Sequence, residues 1–284
     1  MAEHMETASH ERLPGVKRII AVGSGKGGVG KSTVAVNLAI SLRNTGASVG
    51  LLDADIYGPS MPIMLGVKDV RPQMSDDHTI APIECHGLVT ISMGFMLKDS
   101  DAVVWRGPML GKALQQFIED VSWGELDYLV VDLPPGTGDV HLSLSQLIPM
   151  DGAIVVTTPQ DVAFADVRRA IRMFELTKVP VLGLVENMSY FITPDTQARY
   201  DIFGTGRTAD HCEALTLPFL GQLPLDMQIG PAADRGEPVC VADPKGEQAR
   251  LYEQMVVAVE TELAQRDAAQ EGKGKFGDFF SQKS

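Results

Sequence analysis

The chain has 284 residues, 44% of them hydrophobic, enough for one large α/β domain with a sizeable core. Its formal net charge is −13, from 37 acidic against 24 basic residues, and that mean field repels nucleic acid and anionic membrane, so neither is an expected partner. Cys85, Cys212 and Cys240 are far apart and form no CxxC pair, which excludes a disulfide framework and fits reduced cytoplasmic thiols.

Residues 1–16 are polar and lack an apolar h-region, so they read as a flexible extension and not as a signal peptide. No run reaches the roughly 18 apolar residues of a membrane span. Predicted strands follow in order: Arg18 to Val22, Val49 to Leu52, Val89 to Ser92, Tyr128 to Asp132, Ala153 to Thr157, Val181 to Glu186 and Phe219 to Gln222. Most are continuous apolar runs such as "YLVVD" and "AIVVTT", the pattern of a parallel sheet buried on both faces. Helical patterns lie between them. They cover Ser32 to Asn44, closed by Thr45-Gly46; Asp161 to Lys178, with Pro180 two residues on; and Gly246 to Gln265. The alternation predicts a three-layer α/β fold, a mostly parallel central sheet with helices on both faces. The main domain spans 17–264, and the polar, Gly-rich stretch 265–284 reads as a disordered tail.

Directly after the first strand comes "GSGKGGVGKST", Gly23 to Thr33. Gly25-x-x-x-x-Gly30-Lys31-Ser32 fits the P-loop pattern. Glycines allow backbone angles that turn several N–H groups toward one phosphate, and the following helix adds its positive N-terminal end. Gly25, Lys26, Gly27, Gly28, Val29, Gly30, Lys31, Ser32 and Thr33 are therefore the expected nucleotide cradle. Lys31 can reach the outer phosphates and Ser32 can ligate Mg²⁺.

The second strand ends in "LLDADIYGPS", with Asp53 and Asp55 two apart and therefore on one face of an extended segment. In "YLVVDLPPGTGD", Asp132 ends a buried strand, as a Walker B-type carboxylate on Mg²⁺ would. Pro134-Pro135-Gly136 stiffens the next turn and leaves the Gly136 N–H for a γ-phosphate, making Gly136 to Asp139 a switch II segment.

"KGGVGKST" resembles the deviant P-loop of the MinD-like ATPases. "LLDADIYGPSMP", "WRGPML", "DLPPGTGD", "VENMSYF" and "FLGQLPLD" together resemble the Mrp/ApbC group of iron–sulfur cluster carrier ATPases, from about Lys17 to Leu263. Some members of that group carry an extra N-terminal domain, for which residues 1–16 leave no room. The resemblance implies that Lys26 reaches across a homodimer interface to the partner's nucleotide. It implies that Asp55 orients the attacking water while Asp53 lies close to the Mg²⁺ shell with Ser32 and Asp132. Lys26, Lys31 and Asp55 are then the catalytic set. It implies further that Asn187 reads the adenine, and that the loop Leu223 to Asp226, with Pro224 and Asp226, covers the base. The cofactors implied are ATP and Mg²⁺, and the protein partners an iron–sulfur scaffold or an apo-protein recipient.

One segment departs from the group. After "ENMSYF" its members commonly carry a CxxC around a proline, and two subunits would hold a bridging [4Fe–4S] cluster there. In this chain "FITPDT" places Thr193 and Thr196 at those positions, flanking Pro194-Asp195. Hydroxyls are hard ligands and do not replace soft thiolates on iron–sulfur clusters. Cys85, Cys212 and Cys240 remain for a substitute site, Cys212 being nearest in sequence. The leading reading is an ATPase acting in iron–sulfur cluster assembly or transfer by ATP-gated dimerisation. Two alternatives stand beside it: a cluster-independent ATPase switch that binds a protein partner, and a small-molecule kinase on the same loop.

Overall fold

The computed structural model describes residues 13–56, 58–75, 79–95, 115 and 118–281, with side chains through 269 apart from those of 139, 140 and 146. The quoted segment "WRGPML" and most of the extension 1–16 lie outside the described residues.

Eleven strands occur among the described residues: β1 (Val16–Ser24), β2 (Val49–Asp53), β3 (Gln73–Met74), β4 (Ile80–Ala81), β5 (Ile83–Cys85), β6 (Leu88–Ser92), β7 (Leu126–Asp132), β8 (Gly152–Thr157), β9 (Val181–Ile192), β10 (Arg199–Tyr200) and β11 (Phe219–Leu225). The helices are α1 (Lys31–Asn44), α2 (Met61–Met64), α3 (Asp139–Leu147), α4 (Asp161–Leu176), α5 (Thr208–Leu215), α6 (Ile229–Asp234), α7 (Val239–Ala242) and α8 (Glu247–Ser281). The main sheet runs β10-β9-β8-β1-β7-β2-β6-β5, with β11 also on β9, and β3 pairs with β4 separately. Its central pairs are parallel, and only β5 and β10 run antiparallel to their neighbours.

Both faces are dry, as the continuous apolar runs predict. Successive residues point to opposite faces. Ile19 and Ala21 join one core with Leu129, Val131, Val155 and the α4 residues Val167, Ala170 and Phe174. Ile20 and Val22 join the other with Leu51, Val130, α1 residues Val34 and Leu38, and α8 residues Tyr252, Val256 and Val259. α1 is buried from Val34 to Leu42, because it lies between the sheet and α8. That position explains why its sequence is apolar all round and not striped.

Three boundaries differ from expectation. β1 starts at Val16 and Leu13 is already buried, so the extension joins the core before residue 17. β9 continues to Ile192, six residues past the expected end at Glu186, because β10 folds back on it with Arg199 opposite Ile192 and Tyr200 opposite Phe191. The stretch expected as a disordered tail from 265 instead continues α8 through Ser281. Extending a nucleated helix adds one hydrogen bond per residue fixed, and Ala268, Ala269, Gln270 and Glu271 are good helix formers.

Tyr252 is among the largest fully buried side chains. Its replacement by alanine is expected to cost about 3–5 kcal/mol, as for other buried aromatic truncations. Val162→Ala, on the exposed side of α4, is expected to cost less than about 0.5 kcal/mol. Urea unfolding of the two variants checks the contrast.

Candidate functional site

Sheet register builds the site. Asp53 of β2 lies directly beside Asp132 of β7, and Val22 of β1 beside Asp132 on the other side. The P-loop leaves β1 next to these carboxyl ends, where open α/β sheets bind ligands. Gly28 and Gly30 take φ of 77° and 80°, which favours glycine. Gly25 serves a different need from the one its motif suggests. A Cβ there would lie 2.2 Å from the Asp166 carbonyl oxygen, so this glycine lets α4 approach the loop. Val29 is a buried core residue and contributes its backbone alone.

Lys31 is buried and its ammonium contacts Asp132 Oδ1 at 2.5 Å, Asp55 Oδ2 at 3.6 Å and Ser32 Oγ at 3.3 Å. Burial pushes the Asp132 carboxyl up, against the pull of the Lys31 ammonium and the Ser32 hydroxyl. Asp132 Oδ2 is buried with no hydrogen-bond partner among the described residues. A buried carboxylate oxygen without a donor costs free energy unless a ligand uses it. With the Ser32 hydroxyl beside it, the donor set is hard oxygen, the chemistry that Mg²⁺ takes. No group of three or more His, Cys, Asp or Glu that could hold a metal occurs among the described residues. One or two protein oxygens completed by phosphates is the usual Mg²⁺ arrangement.

Asp53 and Asp55 do not share an extended face. The chain turns after Asp53, and the Asp55 N–H donates to Asp53 Oδ1 at 3.0 Å. The Ser92 hydroxyl donates to Asp53 Oδ2 at 2.8 Å, so both Asp53 oxygens are bound by protein while Asp55 faces Lys31. The Gly136 N–H also has a partner, donating to the Ser24 carbonyl at 3.1 Å. It has to leave Ser24 before it can meet a phosphate. Lys26, Gly27, Gly28, Gly30, Lys31, Ser32, Thr33 and Asp55 line one cleft of about 310 Å³.

The residues expected to enclose the base sit apart from that cleft. Asn187 donates through Nδ2 to the Val29 carbonyl at 2.8 Å, and so braces the P-loop. A Cβ on Gly30 would lie 2.3 Å from that same nitrogen, a second reason for glycine there. Pro224 and Asp226 line a cavity of about 210 Å³ with Gln248, whose Nε2 donates to the Pro224 carbonyl at 2.9 Å. Three residues around the site escaped sequence reasoning: Ser92, Gln248 and His141. Ser92 and Gln248 carried no motif, and their partners lie 39 and 24 residues away in the chain. His141 could have been noticed as the one ionisable residue inside "VHLSL".

"FITPDT" closes the β9–β10 hairpin. The Thr193 and Thr196 hydroxyls meet at 2.6 Å, so the two positions converge as a ligand pair would, but they offer hydroxyls. Asp195 accepts the Thr196 N–H at 2.8 Å, which holds its carboxyl below the usual range. The cysteines do not assemble a substitute. Cys212 packs on one face of the sheet, while Cys240 and Cys85 pack on the other. Burial pushes Cys85 and Cys212 up to about 11 and Cys240 up to about 12, so all three are thiols at neutral pH.

Asp53 is pushed up to about 7, first by burial and next by the charge of Asp132. Between its ordinary 3.8 and about 7 the folded chain keeps a proton that the unfolded chain has released. Stability therefore falls as pH rises through that window. Asp53→Asn is expected to flatten this fall, so its stability relative to wild type rises from pH 3.8 to about 7 and then levels. Urea unfolding across pH, without Mg²⁺ or nucleotide, checks the slope.

The family model of the NUBPL iron-transfer P-loop NTPases, a ParA group, matches residues 15–260. An iron–sulfur cluster carrier protein from Deinococcus radiodurans is 56% identical over 241 residues, covering 85% of this chain and 68% of its own length. One from Aquifex aeolicus is 51% identical over 245 residues, covering 86% and 67%. This chain thus spans about two thirds of those relatives. A nucleotide-binding protein from Archaeoglobus fulgidus, solved in complex with ADP, superposes with a TM-score of 0.74 at 37% identity, covering 85% of this chain and 94% of that one. The P-loop, the register-set carboxylates and these likenesses agree: the chain belongs to the NUBPL iron-transfer P-loop NTPase family and is an ATPase of the P-loop class.

Proposed function

We propose that ATP bound by this chain bridges two copies of it, and that hydrolysis releases them, in iron–sulfur cluster assembly or transfer in the cytoplasm. The observation that carries the reading is the unequal pairing of the two loop lysines. Lys31 is buried between carboxylates, whereas Lys26 lines the phosphate cleft with no ion-pair partner among the described residues. A cation at the mouth of a phosphate site, on a flexible stem, suits a phosphate brought by a second subunit. The cluster role rests on the family and on the names of the relatives.

In the reaction a water attacks the γ-phosphorus and the β–γ bridging oxygen leaves with ADP. Asp55 orients that water, and Lys31 trades part of its contact with Asp132 for the outer phosphates. Ser32 and Asp132 would hold Mg²⁺, with Asp53 behind them, and the ion would supply charge neutralisation for the phosphates. Asn187 and the Pro224–Asp226 loop enclose the base. ATP does work only through its different affinity for the two dimer states. A scaffold or apo-protein recipient would read those states.

A second reading is favoured by the hairpin: an ATP-gated switch for a protein partner that holds no cluster of its own. Thr193 and Thr196 converge but bring hydroxyls, which do not fit iron–sulfur ligation.

Lys26→Ala is expected to keep ATP affinity within about threefold while turnover falls about 100-fold or more, the scale for losing one preorganised charge contact. Nucleotide titration and phosphate release on the same sample check it, and unchanged turnover would remove the cross-subunit role. Anaerobic reconstitution with iron and sulfide is expected to leave no stable cluster. About four Fe per dimer with a [4Fe–4S] absorption band would restore cluster carriage to this chain.

A further inference from the structure

His141 is the one buried histidine among the described residues, and the proposed reaction does not use it. It stands in the first turn of α3, just after the Pro134-Pro135-Gly136 turn, and is 1% exposed. Its Nε2 is buried with no hydrogen-bond partner among the described residues. Two groups act on the ring: the Pro134 carbonyl, which favours its protonated form, and the Lys31 ammonium, which opposes it. Burial, the largest cause, and Lys31 together outweigh the Pro134 carbonyl and push the imidazole down to about 4, so it is neutral at working pH. A neutral imidazole can donate from one nitrogen and accept at the other.

The turn beside it is held from its other end. The Gly136 N–H donates to the Ser24 carbonyl at 3.1 Å, and the Ser24 hydroxyl donates to the Lys26 carbonyl at 2.9 Å. A chain of contacts thus runs from His141 through Pro134 and Gly136 to Ser24 and the P-loop. For the Gly136 N–H to reach a phosphate the turn must shift away from Ser24. Pro134 and Pro135 each fix φ, so the turn moves as a stiff unit, and the imidazole under Pro134 meets a changed set of neighbours. An orphaned nitrogen at that place is a seat for the partner which the shift delivers.

We propose that His141 is a positioning residue for hydrolysis: it holds the Pro134–Gly136 turn from below, and its Nε2 gains a hydrogen bond when nucleotide draws that turn off Ser24. The inference rests on the switch II reading of this turn and deepens it. The role needs a nitrogen at the Nε2 position and not merely a flat ring filling the space.

Two variants separate those needs. His141→Phe fills the volume without a polar atom. His141→Gln places an amide near where Nε2 lies. His141→Phe is expected to lower kcat about tenfold with the KM for ATP unchanged, and His141→Gln to recover kcat to within about threefold of wild type. Wild-type kcat from His141→Phe, or equal loss in both variants, would overturn the proposal. A measurement on the wild-type protein covers the case in which a variant misfolds. With ¹⁵N-histidine labelling, the Nε2 resonance of His141 is expected to move when a nonhydrolysable Mg–ATP analogue binds; an unmoved resonance in the saturated protein overturns the proposal. Wild-type protein that binds the analogue but turns over no ATP would instead count against the hydrolysis reading. The resonance would still decide the role of His141.

Discussion

The contact between Lys31 and Asp132 organises the rest of the site. At 2.5 Å, with the ammonium 5% exposed and the carboxylate fully buried, it places two charges in a medium that disfavours both. Such pairs seldom add stability over apolar packing, but losing either partner strands the other. Its maintenance therefore points to use, and the surrounding groups follow from it. Ser32 and Asp55 approach the same ammonium. Asp53, one strand over, shares the low-dielectric pocket, and its carboxyl is pushed up first by burial and next by the charge of Asp132. The P-loop glycines then shape a backbone that enters this pocket without collision.

The same parallel register that joins the carboxylates also sends β9 past the edge of the phosphate site. Asn187 ties that strand to the P-loop carbonyl of Val29, and five residues later it ends in the hairpin with Thr193 and Thr196. One continuous strand thus braces the P-loop through Asn187 and carries the hairpin at its end. The hairpin brings the Thr193 and Thr196 side chains into contact and offers two hydroxyls, not thiolates.

Much of this was legible in the residues. The long core strands announced themselves as apolar runs, since a strand buried on both faces has no polar positions to interrupt it. The P-loop was legible because its glycines, Lys31 and Ser32 stand at fixed spacing within one short segment. The short strands β3, β4, β5 and β10 gave no signal, because two or three residues carry no period. The end of β9 was missed because "NMSYFI" mixes polar and apolar residues, and its pairing with β10 is supplied from across a turn. The Asp53 and Asp55 pair was misplaced on one face, because period-two reasoning holds only while the strand lasts, and β2 stops at Asp53.

What the sequence by itself determined is whatever depends on neighbours along the chain: the phosphate loop, the strand-ending carboxylates, the alternation of strand and helix, and the absence of thiols in "FITPDT". Tertiary structure decided what depends on partners far apart in the chain. It set Asp53 beside Asp132, gave the Asp53 oxygens to Ser92 and the Asp55 N–H, and made Gly25 a packing requirement of α4. It also put the buried His141 beside the Pro134 carbonyl. Local propensity acts through adjacent backbone, whereas register, burial and charge coupling arise only once distant segments share one low-dielectric interior.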